Sequence, residues 1–98
     1  MGNLPSFWRL ENFVERLDAW ISAENPDEDL RITVTEWVLT RFDDPYTDVS
    51  RQPDFPNLWF GPIPDTGHAG QVVVCSYWIL EDERLVRCDQ IASLRAPV

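Results

Sequence analysis

Phe7, Leu10, Phe13, Val14, Leu17, Trp20 and Ile21 recur at helical spacing, with Glu11, Glu15, Asp18 and Ser22 on the opposite side. The pattern predicts a first helix over residues 5–24. Trp8 falls on its polar side. There it either packs locally at the helix start or offers an exposed aromatic contact. A second helix is predicted over residues 26–43. Asn25 suits its N-cap, Pro26 its first position, and Glu28 completes the cap three residues on. Leu30, Val34, Trp37, Val38 and Phe42 form its apolar stripe, and Ile32 and Leu39 widen the arc. So wide an arc predicts a helix covered on most sides. Asp43-Asp44-Pro45 ends it, since the residue before Pro resists the helical region.

Residues 45–70 carry Pro45, Pro53, Pro56, Pro62 and Pro64 and read as an irregular connection. Within it Leu58-Trp59-Phe60 reads as a short edge strand flanked by prolines. Extended backbone sends Trp59 and Phe60 in opposite directions, so one enters the core and the other is free for a partner. Residues 71–94 read as a hairpin. The nearly continuous apolar run Val72–Leu80 predicts a covered central strand, and Glu81-Asp82-Glu83 its turn. On the returning strand Val86, Cys88 and Gln90 are expected to share one face. The sum is one α+β domain: two N-terminal helices laid on a small antiparallel sheet of about three strands.

Charge narrows the chemistry. Seventeen acids against eight Arg and no Lys leave a net charge of −9. That opposes phosphate-neutralising nucleic-acid binding and recruitment to anionic membranes. The Arg-only usage is what a GC-rich coding sequence, bacterial or phage, produces. No apolar run approaches the roughly 18 residues of a membrane span. Met1-Gly2-Asn3-Leu4-Pro5 lacks a basic flank and an apolar core, so a cytoplasmic location is expected. The acidity is uneven: seven acids against two Arg in residues 1–30, but four against three in residues 67–98. The helices are therefore the acidic layer, suited to steering a basic partner.

Site motifs are sparse. Cys75, Cys88 and His68 have no metal-ligand spacing, and no phosphate or dinucleotide loop occurs. Neither metal nor cofactor is expected. Cys75 and Cys88 read as buried reduced thiols, with a cross-strand disulfide as the alternative. His68, between glycines, reads as a loop residue.

Trp37-Val38-Leu39-Thr40-Arg41-Phe42-Asp43-Asp44-Pro45 resembles the end of the second helix of RelE/ParE-type toxins of bacterial toxin–antitoxin systems. The segment from Gln71 to Ile91 is similar to their C-terminal hairpin. The resemblance implies a strand ahead of the first helix, which nothing between Met1 and Phe7 supplies. It also implies that an RNA-cleaving member would draw on Tyr77, Arg84, Arg87 and Arg95. Ala92-Ser93 stands where a His is common in that family. The expected function is binding of a protein with a basic surface, without catalysis, through Trp8, Glu11, Glu15, Trp59 and Phe60. The roles open to such a chain are regulator, inhibitor or degenerate toxin–antitoxin component. The alternative is an active toxin of this kind, a ribosome-associated endoribonuclease or a gyrase inhibitor.

Overall fold

A computed structural model describes residues 7–96 of the chain. The fold is α+β, with two helices on one face of a five-stranded mixed sheet rather than a three-stranded one. The strands are β1 (Arg9–Glu11), β2 (Ser50–Gln52), β3 (Phe55–Pro62), β4 (Gln71–Leu80) and β5 (Leu85–Arg95). Their order is β1-β5-β4-β3-β2, with β1 parallel to β5 and every other pair antiparallel. The helices are α1 (Phe13–Glu24) and α2 (Glu28–Leu39), followed by a 3-10 turn at Thr40–Phe42. No helix among the described residues is long and apolar enough to cross a membrane.

The predicted first helix is corrected at its start. Residues before Phe13 that share its apolar spacing are extended, so the helices do not open the fold. Asn12 adopts a left-handed conformation (φ 69°), which breaks the chain between β1 and α1. Its side-chain Nδ2 donates to Cys88 O (3.1 Å), tying the corner to β5. Trp8 and Arg9 are held by backbone bonds to Phe42 O (2.9 Å) and Arg84 O (2.8 Å). Long-range pairing thus overrides the helical spacing of Phe7 and Leu10.

The junction between the helices also shifts by two residues. Asn25 (φ 45°) closes α1, its N–H donating to Ile21 O, and Asp27 caps α2 by accepting from Leu30 N (2.8 Å). Both residues suit such posts, and Asn tolerates the left-handed region better. Arg31 pins the corner, donating to Pro26 O (2.7 Å) and Asn25 Oδ1 (3.1 Å).

The connection over residues 45–70 supplies two strands. β2 and β3 form a hairpin through Pro53-Asp54, and a register shift between Arg51 and Gln52 leaves Pro56, Asn57 and Leu58 without partners in β2. β3 then pairs along β4, with Gly61 opposite Cys75. A Cβ on Gly61 would lie 2.4 Å from Asp48 O. Gly61→Ala is therefore expected to destabilise by about 2–3 kcal/mol, read as a lower urea midpoint with unchanged slope.

Val73, Cys75, Tyr77 and Ile79 of β4 and Val86, Cys88 and Ile91 of β5 face the helices. They pack on Phe13, Trp20, Val34, Trp37 and Val38. A bulge between Ser76 and Tyr77 pairs them with Gln90 and Cys88, leaving Asp89 as the extra residue. The bulge sends Ile91 inward instead of the expected Gln90, which is exposed.

α2 is covered on one side only, against expectation: Ile32 and Leu39 are about half exposed (47% and 54%) because no second layer lies over them. The 3-10 turn rotates the end of the helix, so Arg41 enters the core in place of Phe42.

Candidate functional site

Tyr77, Arg84, Arg87 and Arg95 are not brought together. Tyr77 is fully buried on the helix side, where its hydroxyl donates to Pro45 O and accepts from Arg41 Nη1 (3.1 Å). Arg87 lies on the opposite side of the sheet and pairs with Glu11 (2.6 Å), both about half exposed. Arg84 occupies the β4–β5 turn (φ 50°), its guanidinium 4.3 Å above the Trp8 ring. Arg95 ends β5, a strand of 11 residues, which puts it about 35 Å from the turn.

Of the residues expected to bind a partner, Trp8 is buried (6% exposed), which overturns its reading as an exposed contact. It packs into the core from the residue just ahead of β1. Glu15 is exposed on α1. Trp59 and Phe60 diverge as extended backbone requires: Trp59 packs against the core and Phe60 stays 39% exposed.

Trp59 belongs to a constellation that the chain order hides. Trp8, Tyr46 and Trp59 stack in a row, edge to face, with centroids 5.9 Å and 5.1 Å apart. Tyr46 Oη donates to Glu81 Oε1. Partial burial and the Glu81 carboxylate push the Tyr46 phenol up to about 12. Beside this row an open cleft of about 390 Å³ is lined by Trp59, Ile79, Arg51 and the turn Glu81-Asp82-Glu83. Asp82 and Glu83 are exposed at its mouth. An indole wall and exposed carboxylates in one cleft favour a cationic side chain.

A second cleft, of about 590 Å³, opens at the C-terminal end of α1 between Glu24, Leu30, His68 and Ser93. No side-chain partner of His68 is legible in the sequence, because Ser93, which faces its Nε2, lies 25 residues away. The Nδ1–H of His68 donates to Thr66 O (2.9 Å), which leaves the Nε2 lone pair 3.5 Å from Ser93 Oγ. Thr66 is itself buried, bonded to Ile63 O and Val73 N. A base oriented against a hydroxyl is half of a nucleophilic site. The other half is a set of donors for a developing oxyanion. Ser93 N–H is already committed to Glu24 Oε2 (3.0 Å), which puts a negative charge beside the hydroxyl instead. Partial burial works against that carboxylate, but hydrogen bonds from Ser93 hold Glu24 below its ordinary range. The arrangement anchors α1 to β5 and does not favour acyl transfer.

The His68 turn is a two-residue hairpin with Ala69 and Gly70 both at positive φ (47° and 75°). Ala is strained there. Ala69→Asn is expected to raise stability by about 1 kcal/mol, seen as a higher thermal midpoint.

Cys75 and Cys88 are free and buried. A hydrogen bond with Cys88, followed by burial, pushes the Cys75 thiol up. No three His, Cys, Asp or Glu side chains converge on a metal site among the described residues. No protein-family model matches the chain, and no curated protein shows significant similarity to it.

Proposed function

We propose that this protein works by binding a protein with a basic surface and performs no chemistry of its own. The observation that carries this reading is the cleft shared by Trp59 and the Glu81-Asp82-Glu83 turn. A Lys or Arg side chain entering it gains the indole face together with the carboxylates of Asp82 and Glu83. The helical layer adds Glu15, Asp18, Glu28, Asp29 and Glu36, all exposed, which draw a basic partner in at long range. An oligo-arginine peptide titrated against the protein, followed by tryptophan fluorescence, tests the reading. Binding should weaken steeply with salt and fall at least tenfold in Trp59→Leu and in Asp82→Asn/Glu83→Gln. Equal binding by these variants would show that the peptide senses only net charge and would overturn the cleft.

A second reading rests on β1. A strand ahead of α1 is what the RelE/ParE-like resemblance calls for, and Arg9–Glu11 is such a strand. Under that reading Arg84, Arg87 and Arg95 would meet RNA from exposed positions, Arg84 giving up its place over Trp8 and Arg87 its pairing with Glu11, while Tyr77 is occupied in the core. Induced expression decides it: growth arrest supports a toxin, and high-level expression without arrest removes it.

A further inference from the structure

β5 keeps an open edge. On one side β4 pairs with it as far as Arg95. On the other side β1 pairs only with Leu85, Val86 and Arg87, because the chain turns out of the sheet at Asn12. The bond from Ala96 N to Gly70 O (2.9 Å) sets the alternation beyond that point: Gln90, Ala92 and Leu94 bond toward β4, while Ile91, Ser93 and Arg95 turn N–H and C=O outward. Ser93 N–H is taken by Glu24 Oε2 (3.0 Å). Among the described residues nothing bonds the outward N–H and C=O of Ile91.

Beside this edge runs a groove of about 230 Å³, walled by Ala19, Trp20 and Ala23 of α1 and by Ile91. The two alanines keep the helix from filling it. Trp20 is 2% exposed, yet its Nε1–H makes no hydrogen bond. The Glu24 carboxylate lies close enough to be stabilised by that N–H, but outside bonding geometry. Buried donors are nearly always satisfied, so a dry indole N–H beside an open groove marks a place for an acceptor. Together with the Ile91 amide it presents the chemistry that a peptide backbone completes.

Charge gives the direction. α1 runs alongside β5, with Asn12 bonded to Cys88 O at one end and Glu24 to Ser93 N at the other. Arg16 and Glu24 therefore bound the groove toward opposite ends. They lie about 12 Å apart along the helix, the span of about four residues of strand. A segment with a basic residue at Glu24 and an acidic residue at Arg16 runs antiparallel to β5, the direction in which one residue exchanges both backbone bonds with its opposite.

We propose that the groove between α1 and the free edge of β5 binds an extended peptide segment as a further antiparallel strand, basic at its N-terminal end and acidic at its C-terminal end. One residue of the segment exchanges both bonds with Ile91, and an oxygen of the segment accepts from Trp20 Nε1–H. The site lies across β4 and β5 from the Trp59 cleft of β3.

The net-neutral pentapeptide acetyl-Lys-Thr-Val-Thr-Glu-amide, titrated into nitrogen-15-labelled protein, tests this. The Ile91 amide and the Trp20 indole N–H should shift saturably, and exchange of the Ile91 amide should slow. N-methylation of the central valine, or interchange of the Lys and Glu, should each weaken binding at least tenfold. Ala23→Gln fills the groove from an exposed helical position that Gln suits. It should weaken peptide binding equally and leave oligo-arginine binding at the Trp59 cleft unchanged, so the two proposals fail separately. No shift at Ile91 and Trp20 up to millimolar peptide would overturn the proposal. So would equal binding of the N-methylated peptide, or shifts that persist in Ala23→Gln. An Ile91 shift that appears on concentrating the protein alone would give the edge to a second copy and overturn it as well.

Discussion

Arg41→Ala is expected to lower folding stability by about 3–5 kcal/mol, a large share of what a domain of this size possesses. Arg41 is only 2% exposed. Its guanidinium donates to Thr47 O (2.6 Å), Tyr77 Oη (3.1 Å) and Thr40 Oγ1 (2.8 Å), and lies 4.0 Å above the Trp37 ring. Asp48 stands 4.0 Å away, one-third exposed, and also accepts from Trp37 Nε1 (3.1 Å). The ion pair itself is long and partly wet, so it contributes little. The cost arises because truncation orphans buried acceptors and opens a cavity under α2. Arg41→Met, which keeps the volume, should lose less than Arg41→Ala. Tyr77→Phe, which removes only the hydroxyl between Arg41 and Pro45, should lose about 1–2 kcal/mol. Urea unfolding of the three variants checks the order, and a loss below about 1 kcal/mol for Arg41→Ala would show that the network is dispensable.

The second large effect is alkaline. Burial, partly offset by the hydrogen bond from Arg41, pushes the Tyr77 phenol up to about 12, and Tyr46 is raised to a similar value. They are the two tyrosines of the chain. In the unfolded chain a phenol ionises near 10. Above that pH the unfolded state binds fewer protons than the native state, so stability falls as pH rises. The loss begins near pH 10 and levels off above pH 12. The fully buried Tyr77 alone accounts for about 2–3 kcal/mol of it, with a smaller share from the partly solvated Tyr46. Ultraviolet phenolate absorbance should remain low at pH 10 to 11 and then rise together with loss of the far-ultraviolet helical signal. Ordinary titration of Tyr77 in the folded protein would contradict its place in the core.

These effects mark where the sequence is readable. Hydrophobic spacing located the bodies of α1 and α2, and the apolar run located β4 as a central strand, because such signals depend on neighbours a few residues away. Trp59 and Phe60 diverge as strand geometry demands. Leu10 was misread because its strand partner, Val86, lies in β5, about 75 residues on, and Trp8 because its backbone bond runs to Phe42 O. The helical spacing of Phe7 and Leu10 was coincidental. β2 was hidden because three polar residues carry no pattern of their own.

The site was less legible than the fold. The acidic turn was visible, but its place beside the row of Trp8, Tyr46 and Trp59 depends on a close approach of three distant segments. The same is true of His68 and Ser93. Tyr77 illustrates the reverse error: its chemistry suits catalysis, yet strand alternation buries it beside Arg41.

The sequence by itself determined the α+β class, the acidity of the helical layer and the low charge of the C-terminal strands. Those properties are local sums and periods, readable without knowing what touches what. Tertiary structure alone decided that Arg41 is interior, that Asp89 bulges and turns Ile91 inward, and that one sheet face stays open. Each depends on register between strands or on the rotation of a helix end, where a shift of one residue reverses the direction of every side chain.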